Sequence, residues 1–489
     1  MEYDFVFDNA AKQFKYRVLV QVAKYAYEGT LEEHVAAIPY DIIPGPLSTS
    51  RCCAYKEREI IRERLISAQG LNLPGQGDDH IVGVLPAACE GCPISRFRVT
   101  DNCQHCLAQK CKKACHFGAI SITPKGAYID PQKCRECGRC AAVCPYNAIS
   151  DTLRPCVRAC PVKAIGEDEF HRSRIDYTRC ISCGACVKNC PFGAITDRSR
   201  IVEIVKQIKS GTPVIACFAP AIEGQFGTAT TGAIKQALKQ LGFYEAVEVS
   251  LGADATASHE AGELVEAMKN GKKMTTSCCP AFVEMIEKHF PKLKGNISDT
   301  ASPMAATVRY IRMKKPDAKV VFIGPCIAKK LEIKRNGDTA DYVMTFEELV
   351  AMFEAKNISL DVTGDSVQDG SRAGKGFAQS GGVAGSVLQV LKEEGINMPV
   401  SYIKCSGAAE CKKALALMNA GRLQEDFVEG MVCEGGCIAG PAGIESVLKV
   451  KRNRTKLLAA ADKRGVKENV TAIHDFSHIN MQRQRKETL

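Results

Sequence analysis

The spacing Cys134-x2-Cys137-x2-Cys140-x3-Cys144-Pro145 returns as Cys180-x2-Cys183-x2-Cys186-x3-Cys190-Pro191. A chain carrying this run twice cannot bury those residues as ordinary small apolar side chains. Soft thiolates at such spacing wrap metal, and they select iron–sulfur clusters or zinc. This spacing favours [4Fe–4S] cubes, with three cysteines of a run on one cube and the fourth on its neighbour. Eighteen of the 26 cysteines precede residue 191. In a reducing compartment that density means metal or catalysis and not disulfides.

The start Met-Glu-Tyr-Asp-Phe has no basic stretch leading into an apolar core, so a cytoplasmic location is expected. No run approaches the ~18 apolar residues of a membrane helix. The excess of 65 Lys and Arg over 55 Asp and Glu is read as offsetting anionic clusters or attracting an acidic redox partner. Without tryptophan there is little to stack on bases, and neither nucleic acid nor membrane is an expected partner.

Four regions are expected. Residues 1–85 are mostly helical and have no assigned role, with helices over 16–27 and 51–68. Residues 86–203 form a tandem ferredoxin-like [4Fe–4S] domain. In it, similar tails (Phe117-Gly-Ala-Ile120, Tyr146-Asn-Ala-Ile149, Pro161-Val-Lys-Ala-Ile165, Phe192-Gly-Ala-Ile195) each follow a last cysteine. Residues 204–448 alternate strand and helix patterns, with strands over 214–218, 273–276 and 320–323 that each lead into a cysteine-bearing turn or segment. Helices are expected over 231–241 and 281–289. The fold class is therefore an α/β catalytic domain, two βα lobes around a buried metal cofactor, preceded by α+β ferredoxin-like modules. Residues 449–489 read as a polar basic tail, a surface arm.

The cysteines can be counted into cubes. Cys103, Cys106 and Cys111 pair with Cys144, and Cys134, Cys137 and Cys140 with Cys115. Cys180, Cys183 and Cys186 share a cube with Cys160. Cys156 and Cys190 remain, two ligands short, because Ser150 and Leu153 stand where cysteines would complete the set. Cys89-x2-Cys92-Pro93 supplies the missing pair in the favoured count of four cubes. A count of three, with Cys89, Cys92, Cys156 and Cys190 unused, on zinc, or on a smaller cluster, stays open. Adjacent Cys52 and Cys53 are set aside as structural, with redox or metal work as the alternative.

Later cysteines sit in Thr276-Ser277-Cys278-Cys279-Pro280, in Gly324-Pro325-Cys326-Ile327-Ala328-Lys329-Lys330-Leu331-Glu332 and in Glu429-Gly430-Met431-Val432-Cys433-Glu434-Gly435-Gly436-Cys437. Each alone is a weak signal, since a core cysteine is usually a small hydrophobe. Glycines beside them let backbone approach a shared cofactor closely.

Together, and in this order after the cysteine runs, the three segments resemble the signature segments of [FeFe]-hydrogenases over roughly residues 86–445. The resemblance implies an H-cluster: a [4Fe–4S] cube joined through a cysteine to a two-iron unit with CO, CN⁻ and a bridging dithiolate. By motif position it implies Cys279, Cys326, Cys433 and Cys437 as cube ligands, with Cys437 bridging. Cys278 is implied as the proton-passing thiol and Lys329 as donor to a cyanide. Ala219, Pro220, Ala221, Ser302, Pro325 and Met431 are implied around the two-iron unit. Glu260, Glu263 and Ser298 occupy the matching places of the outward proton route, although Glu260-x2-Glu263 also reads as a surface helix. Gly324, Met304 and Phe282 replace the family's usual methionine, glutamine and tryptophan, and the segment after Ala221 is shortened, resembling the divergent group B branch.

The implied function is reversible 2H⁺ + 2e⁻ ⇌ H₂, with electrons from a ferredoxin-type carrier and the two-iron unit installed by maturation enzymes. Alternatives are an H₂ sensor or a cube-only iron–sulfur assembly scaffold. Cys217, Cys405 and Cys411 read as buried structural residues, with a redox or proton-handling thiol at Cys405/Cys411 as the other possibility.

Overall fold

The computed structural model describes residues 10–90, 92, 95–360 and 368–485. Fully buried β-branched and aromatic runs form its central strands. Glu245–Glu248, Val214–Phe218, Lys319–Gly324 and Tyr342–Thr345 lie in that order in a parallel sheet. A second parallel sheet runs Met274–Thr275, Phe427–Met431, Tyr402–Ser406. All-parallel sheets need cover on both faces, which is why Val214–Phe218 and Phe427–Met431 are buried at every position.

These sheets are the two expected lobes, and their carboxyl ends carry the chemistry. Phe218 leads into Ala219-Pro220, Thr275 into Cys278-Cys279, Gly324 into Pro325-Cys326, and Met431 into Cys433. Open α/β sheets bind ligands at that edge. The helices start there with local caps. Cys279 and Ser302 precede Pro280 and Pro303, whose missing N–H costs nothing at a first helical position. The Ser302 hydroxyl also accepts from Ala305 N.

The cysteine-dense region forms small antiparallel pairs. Ile120–Thr123 pairs with Gly126–Ile129, Ile165–Glu167 with Ser173–Ile175, Phe97–Val99 with Ile149–Asp151, and Val82–Val84 with Ile195–Asp197. The amino-terminal helix Ala10–Glu28 buries Val18, Leu19, Val22 and Ala23 in the same core as the four-stranded sheet. Much of residues 10–68 therefore shares that sheet's core. Lys15 and Lys330 clasp buried Asp197, and Lys330 also reaches Glu348. Burial pushes the Asp197 carboxyl up, but the two ammonium groups override it and hold it well below the carboxylate range.

The reading of 449–489 as a surface arm is corrected over its described residues, which end at Arg485. Val447–Ala459 is a helix that buries Val450 and Arg454, and Val466, Val470, Phe476 and Met481 are buried beyond it. A basic composition hid apolar anchors at scattered spacing, and Arg454 pairs inside with Glu223. The helix Ser250–Lys269 likewise is no surface helix: Leu251, Ala253, Ala257, Ala261 and Leu264 are its buried stripe, and Glu260 is fully buried with them. Among the described residues no helix is long and apolar enough to cross a membrane.

Candidate metal centre and proton route

Between the two sheet edges lies a cavity with about 80 Å³ of free space. Its walls include Ala219, Pro220, Pro325, Met304 and Met431, and its sulfurs come from Cys278, Cys279, Cys326 and Cys437. Cys433 stands behind, close enough that its thiol and those of Cys326, Cys437 and Cys279 push one another up after burial has done most of the work. The Cys326 thiol is pushed up to about 11 and that of Cys437 to about 12. Four part-buried thiols that resist ionising together suit a group whose own positive charge would make all four thiolates. The residues fit a thiolate-held cluster. Among the described residues no three His, Cys, Asp or Glu side chains come close enough to grip a single metal ion. Gly436 allows the final turn: its φ is +93°, and a Cβ there would stand 2.7 Å from Ser380 N.

Lys329 supplies a cation at the cavity wall. Its Nζ is 2.6 Å from Glu332 Oε2, donates to Ser302 Oγ at 3.2 Å and lies 3.5 Å from Cys278 O. Ser302 Oγ donates to Glu332 Oε1 at 2.5 Å. Burial would lower the Lys329 ammonium, but Glu332 and the nearby thiols raise it, so it stays charged. Ser302 therefore positions Lys329 from behind and is absent from the cavity wall. Phe282 packs flat against Gly430, where a Cβ would meet the ring at 2.3 Å.

Behind Cys278 stand Glu260, Ser298 and Glu263. Ser298 Oγ donates to Glu263 Oε2 at 2.6 Å, Glu260 Oε1 accepts from Ser277 N at 3.4 Å, and Glu260 is the strongest acidic neighbour of the Cys278 thiol. Burial, then the Glu263 charge, raises the Glu260 carboxyl to about 8. Sequence reasoning missed Thr300, whose hydroxyl donates to Glu263 Oε2 at 2.7 Å, and His259, whose Nδ1 lies 2.8 Å from that hydroxyl. The i, i+4 spacing of His259 and Glu263 was the available signal.

In the cysteine-dense region each half-module closes the same way. Cys115, Cys144, Cys160 and Cys190 each accept a hydrogen bond at Sγ from the backbone N–H four residues on, at 3.2–3.4 Å. The repeat tails thus hold sulfurs as well as burying their Ala and Ile. The Cys111 thiol feels Cys106 and Cys144, and Cys140 feels Cys134 and Cys137. Cys186 feels Cys183, Cys180 and Cys160. The Cys92 thiol is pushed up to about 11 by burial and then by Cys156, Cys190 and Cys89. Ser173 ties this set together, its N–H donating to Cys89 Sγ at 3.2 Å and its hydroxyl 3.3 Å from Cys156 Sγ. Cys183 neighbours both Cys279 and Cys433, linking the last module to the cavity. Cys217, Cys405 and Cys411 are fully buried, and Cys52 and Cys53 are exposed.

The chain matches the family model "Iron only hydrogenase large subunit, C-terminal domain" over residues 212–441. It matches the 4Fe-4S binding domain over 127–150 and 173–196. It is 30% identical to Iron hydrogenase 1 of Clostridium pasteurianum over 421 residues, which cover 72% of this chain and 73% of that protein. Identity is also 30% with the periplasmic [Fe] hydrogenase large subunit of Nitratidesulfovibrio vulgaris, covering 55% of this chain and 78% of that one. A cytosolic Fe-S cluster assembly factor of Meyerozyma guilliermondii is 26% identical over 27% of this chain and 28% of its own. With similarity spanning modules and cavity alike, the chain belongs to the iron-only, or [FeFe]-, hydrogenase family.

Proposed function

We propose that this chain catalyses 2H⁺ + 2e⁻ ⇌ H₂ at an H-cluster in the cavity, fed through four [4Fe–4S] clusters by an acidic ferredoxin-type carrier in the cytoplasm. The observation that carries the reading is the chain of contacts from Cys278 through Glu260 and Ser298 to Glu263, which a cube-only scaffold would not need. When bound, the H-cluster supplies the iron at which H₂ forms or splits, and maturation enzymes install its two-iron part. Cys279, Cys326, Cys433 and Cys437 would hold it, and Lys329 would donate a charge-assisted hydrogen bond to it. The apolar wall of Ala219, Pro220, Pro325 and Met431 excludes water. The Cys278 Sγ passes the proton between cavity and Glu260, Ser298, whose hydroxyl donates to Glu263, carries it on, and Glu263 is the outer stop.

Electrons enter at the outer module, where Lys110, Lys112, Lys113 and Arg139 are exposed around exposed Cys137 and suit an acidic carrier. They leave the inner module at Cys183, beside Cys279.

Infrared spectra of anaerobically matured protein, with an H₂-evolution assay on the same sample, test the reading. Bands of metal-bound CO and CN⁻ with H₂ production are expected. Bands without turnover would favour a sensor. Absence of bands, with a control hydrogenase matured in parallel, would leave the scaffold, a role like that of the similar Fe-S cluster assembly factor.

Two further outcomes are expected. Replacing Cys156 and Cys89 by serine removes about four irons per chain and one cluster signal, because the four-thiolate set is broken; unchanged iron analysis returns the count to three. Glu260, protonated below about pH 8, can deliver a proton inward. As pH rises through that value it ionises and delivery fails, so H₂ evolution declines. In Glu260→Gln the group cannot titrate, and the inflection disappears from the pH–rate profile.

A further inference from the structure

Cys52 and Cys53 are adjacent in the chain and both exposed, with their sulfurs 4.0 Å apart. Exposed thiols add nothing to a core, and accessible thiols beside positive charge are the reactive ones. Cys53 stands in extended backbone at the start of the helix Ala54–Ala68, where the helix presents its positive end. The backbone N–H of Lys56 is the main influence holding the Cys53 thiol below its ordinary value. The Cys52 thiol and the Tyr55 N–H add to it, against burial and the Glu57 charge.

The loop that presents this pair is tied to cysteine-bearing segments of the iron–sulfur region. Glu57, 3% exposed, accepts from the backbone N–H groups of Thr49, Ser50 and Arg51 and so fixes the loop to its own helix. Arg51 Nη2 donates to Ala88 O at 3.4 Å, next to Cys89. The same guanidinium lies 4.7 Å from the centre of the Phe192 ring, two residues after Cys190. Lys56 pairs with Glu90, between Cys89 and Cys92. Three of the four cysteines of the fourth-cluster set thus lie within two residues of a side chain held by this loop or by the helix it leads into.

We propose that Cys52 and Cys53 form a thiol–disulfide exchange site for low-molecular-weight disulfides, with Cys53 attacking, Cys52 resolving and Arg51 passing the change to the loops of the fourth cluster. The Cys53 thiolate attacks one sulfur of the reagent, whose S–S bond breaks and releases one thiolate. Cys52 gives its proton to water and attacks Cys53 Sγ in the mixed disulfide, releasing the second thiolate. The two cysteines lose two electrons and the reagent becomes two thiols. Adjacent Cα atoms are about 3.8 Å apart across a trans peptide, closer than the roughly 4.4–6.8 Å of ordinary disulfides. The ring is therefore strained and readily reduced, which makes the site reversible and unsuited to structural bracing. The exchange chemistry is independent of the hydrogenase reading, whereas its effect on the fourth cluster rests on the assignment of Cys89, Cys92, Cys156 and Cys190.

The test treats the full chain, carrying its reconstituted clusters and kept free of air, with glutathione disulfide, followed by peptide mass mapping and EPR. An adduct is expected first on Cys53, then lost as the Cys52–Cys53 bond forms. Cys52→Ser should keep the adduct on Cys53, and Cys53→Ser should slow the first step about fivefold. Both side chains are exposed, so neither serine disturbs the fold. The EPR signal that disappears in the Cys156/Cys89 serine variant should shift on oxidation and return with a dithiol. Arg51→Ala keeps both thiols and should abolish that shift. Equal labelling of Cys52 and Cys53, or an adduct that never resolves in the unaltered chain, would overturn the exchange site. A signal unmoved by oxidation would overturn the link through Arg51. Absence of that signal from the untreated chain would instead sink the fourth-cluster assignment, and the mass map would still decide the exchange.

Discussion

Cys278→Ala is expected to lower H₂ turnover by about 10²–10⁴-fold, the usual worth of a positioned proton-transfer group. It should leave the iron content and the infrared CO/CN⁻ bands in place. The thiol lines the cavity but is not needed to hold a cube, since Cys279, Cys326, Cys433 and Cys437 already supply four sulfurs. It is also the cavity sulfur that feels the Glu260 charge, so its loss disconnects the buried carboxyl from the reacting site. Alanine leaves a small gap in a packed wall and no unpaired charge, so the fold should survive. Retained turnover would mean that another group reaches the cavity. Loss of bands together with turnover would make Cys278 a structural residue of the site.

Lys329→Met is expected to destabilise the protein by about 3–5 kcal/mol even before any cofactor is installed. Its partner Glu332 is 6% exposed, and without the ammonium 2.6 Å away a carboxylate is left in the protein interior with Ser302 as its remaining donor. Thermal unfolding of the unmatured protein is the measurement, and a fall in Tm of roughly 10 °C is expected for a domain of this size. The double variant Lys329→Met/Glu332→Gln should recover at least half of the loss, because methionine and a neutral amide can share the site without a stranded charge. If the two single losses simply add, the pair is not coupled and Lys329 is held by packing alone. In matured protein the same substitution should also shift the CN⁻ bands, since the cavity loses its charged donor.

Much of this site was legible before any fold was known, for a definite reason. Ligand spacing is local: Cys180-x2-Cys183-x2-Cys186 fits one cube whatever surrounds it, and residues at strand ends such as Cys326 after Val320–Ile323 fall at a sheet edge by topology. The apolar runs that became strands were read within one or two residues, because fully buried parallel strands are continuous stretches of Val, Ile and Phe.

Other features needed the third dimension. Glu260-x2-Glu263 has the look of a wet helix face, yet the helix is packed on both sides and Glu260 has no exposure. One-dimensional polarity cannot report that a carboxyl is buried when its hydrogen-bond partner, Ser277, comes from a different segment of the chain. The union of Cys89 and Cys92 with Cys156 and Cys190 spans about a hundred residues and rests on Ser173, which no spacing rule singles out. The basic end of the chain read as a free arm because its anchors Val466, Val470, Phe476 and Met481 follow no regular period. The amino-acid sequence by itself determined the candidate donor residues and the parallel lobes that present them, because these depend on short-range spacing and hydrophobic runs. Only the tertiary structure decided which carboxyls titrate near neutrality and which cysteines meet across modules, because burial and electrostatic neighbourhood are set by contacts between segments far apart in the chain.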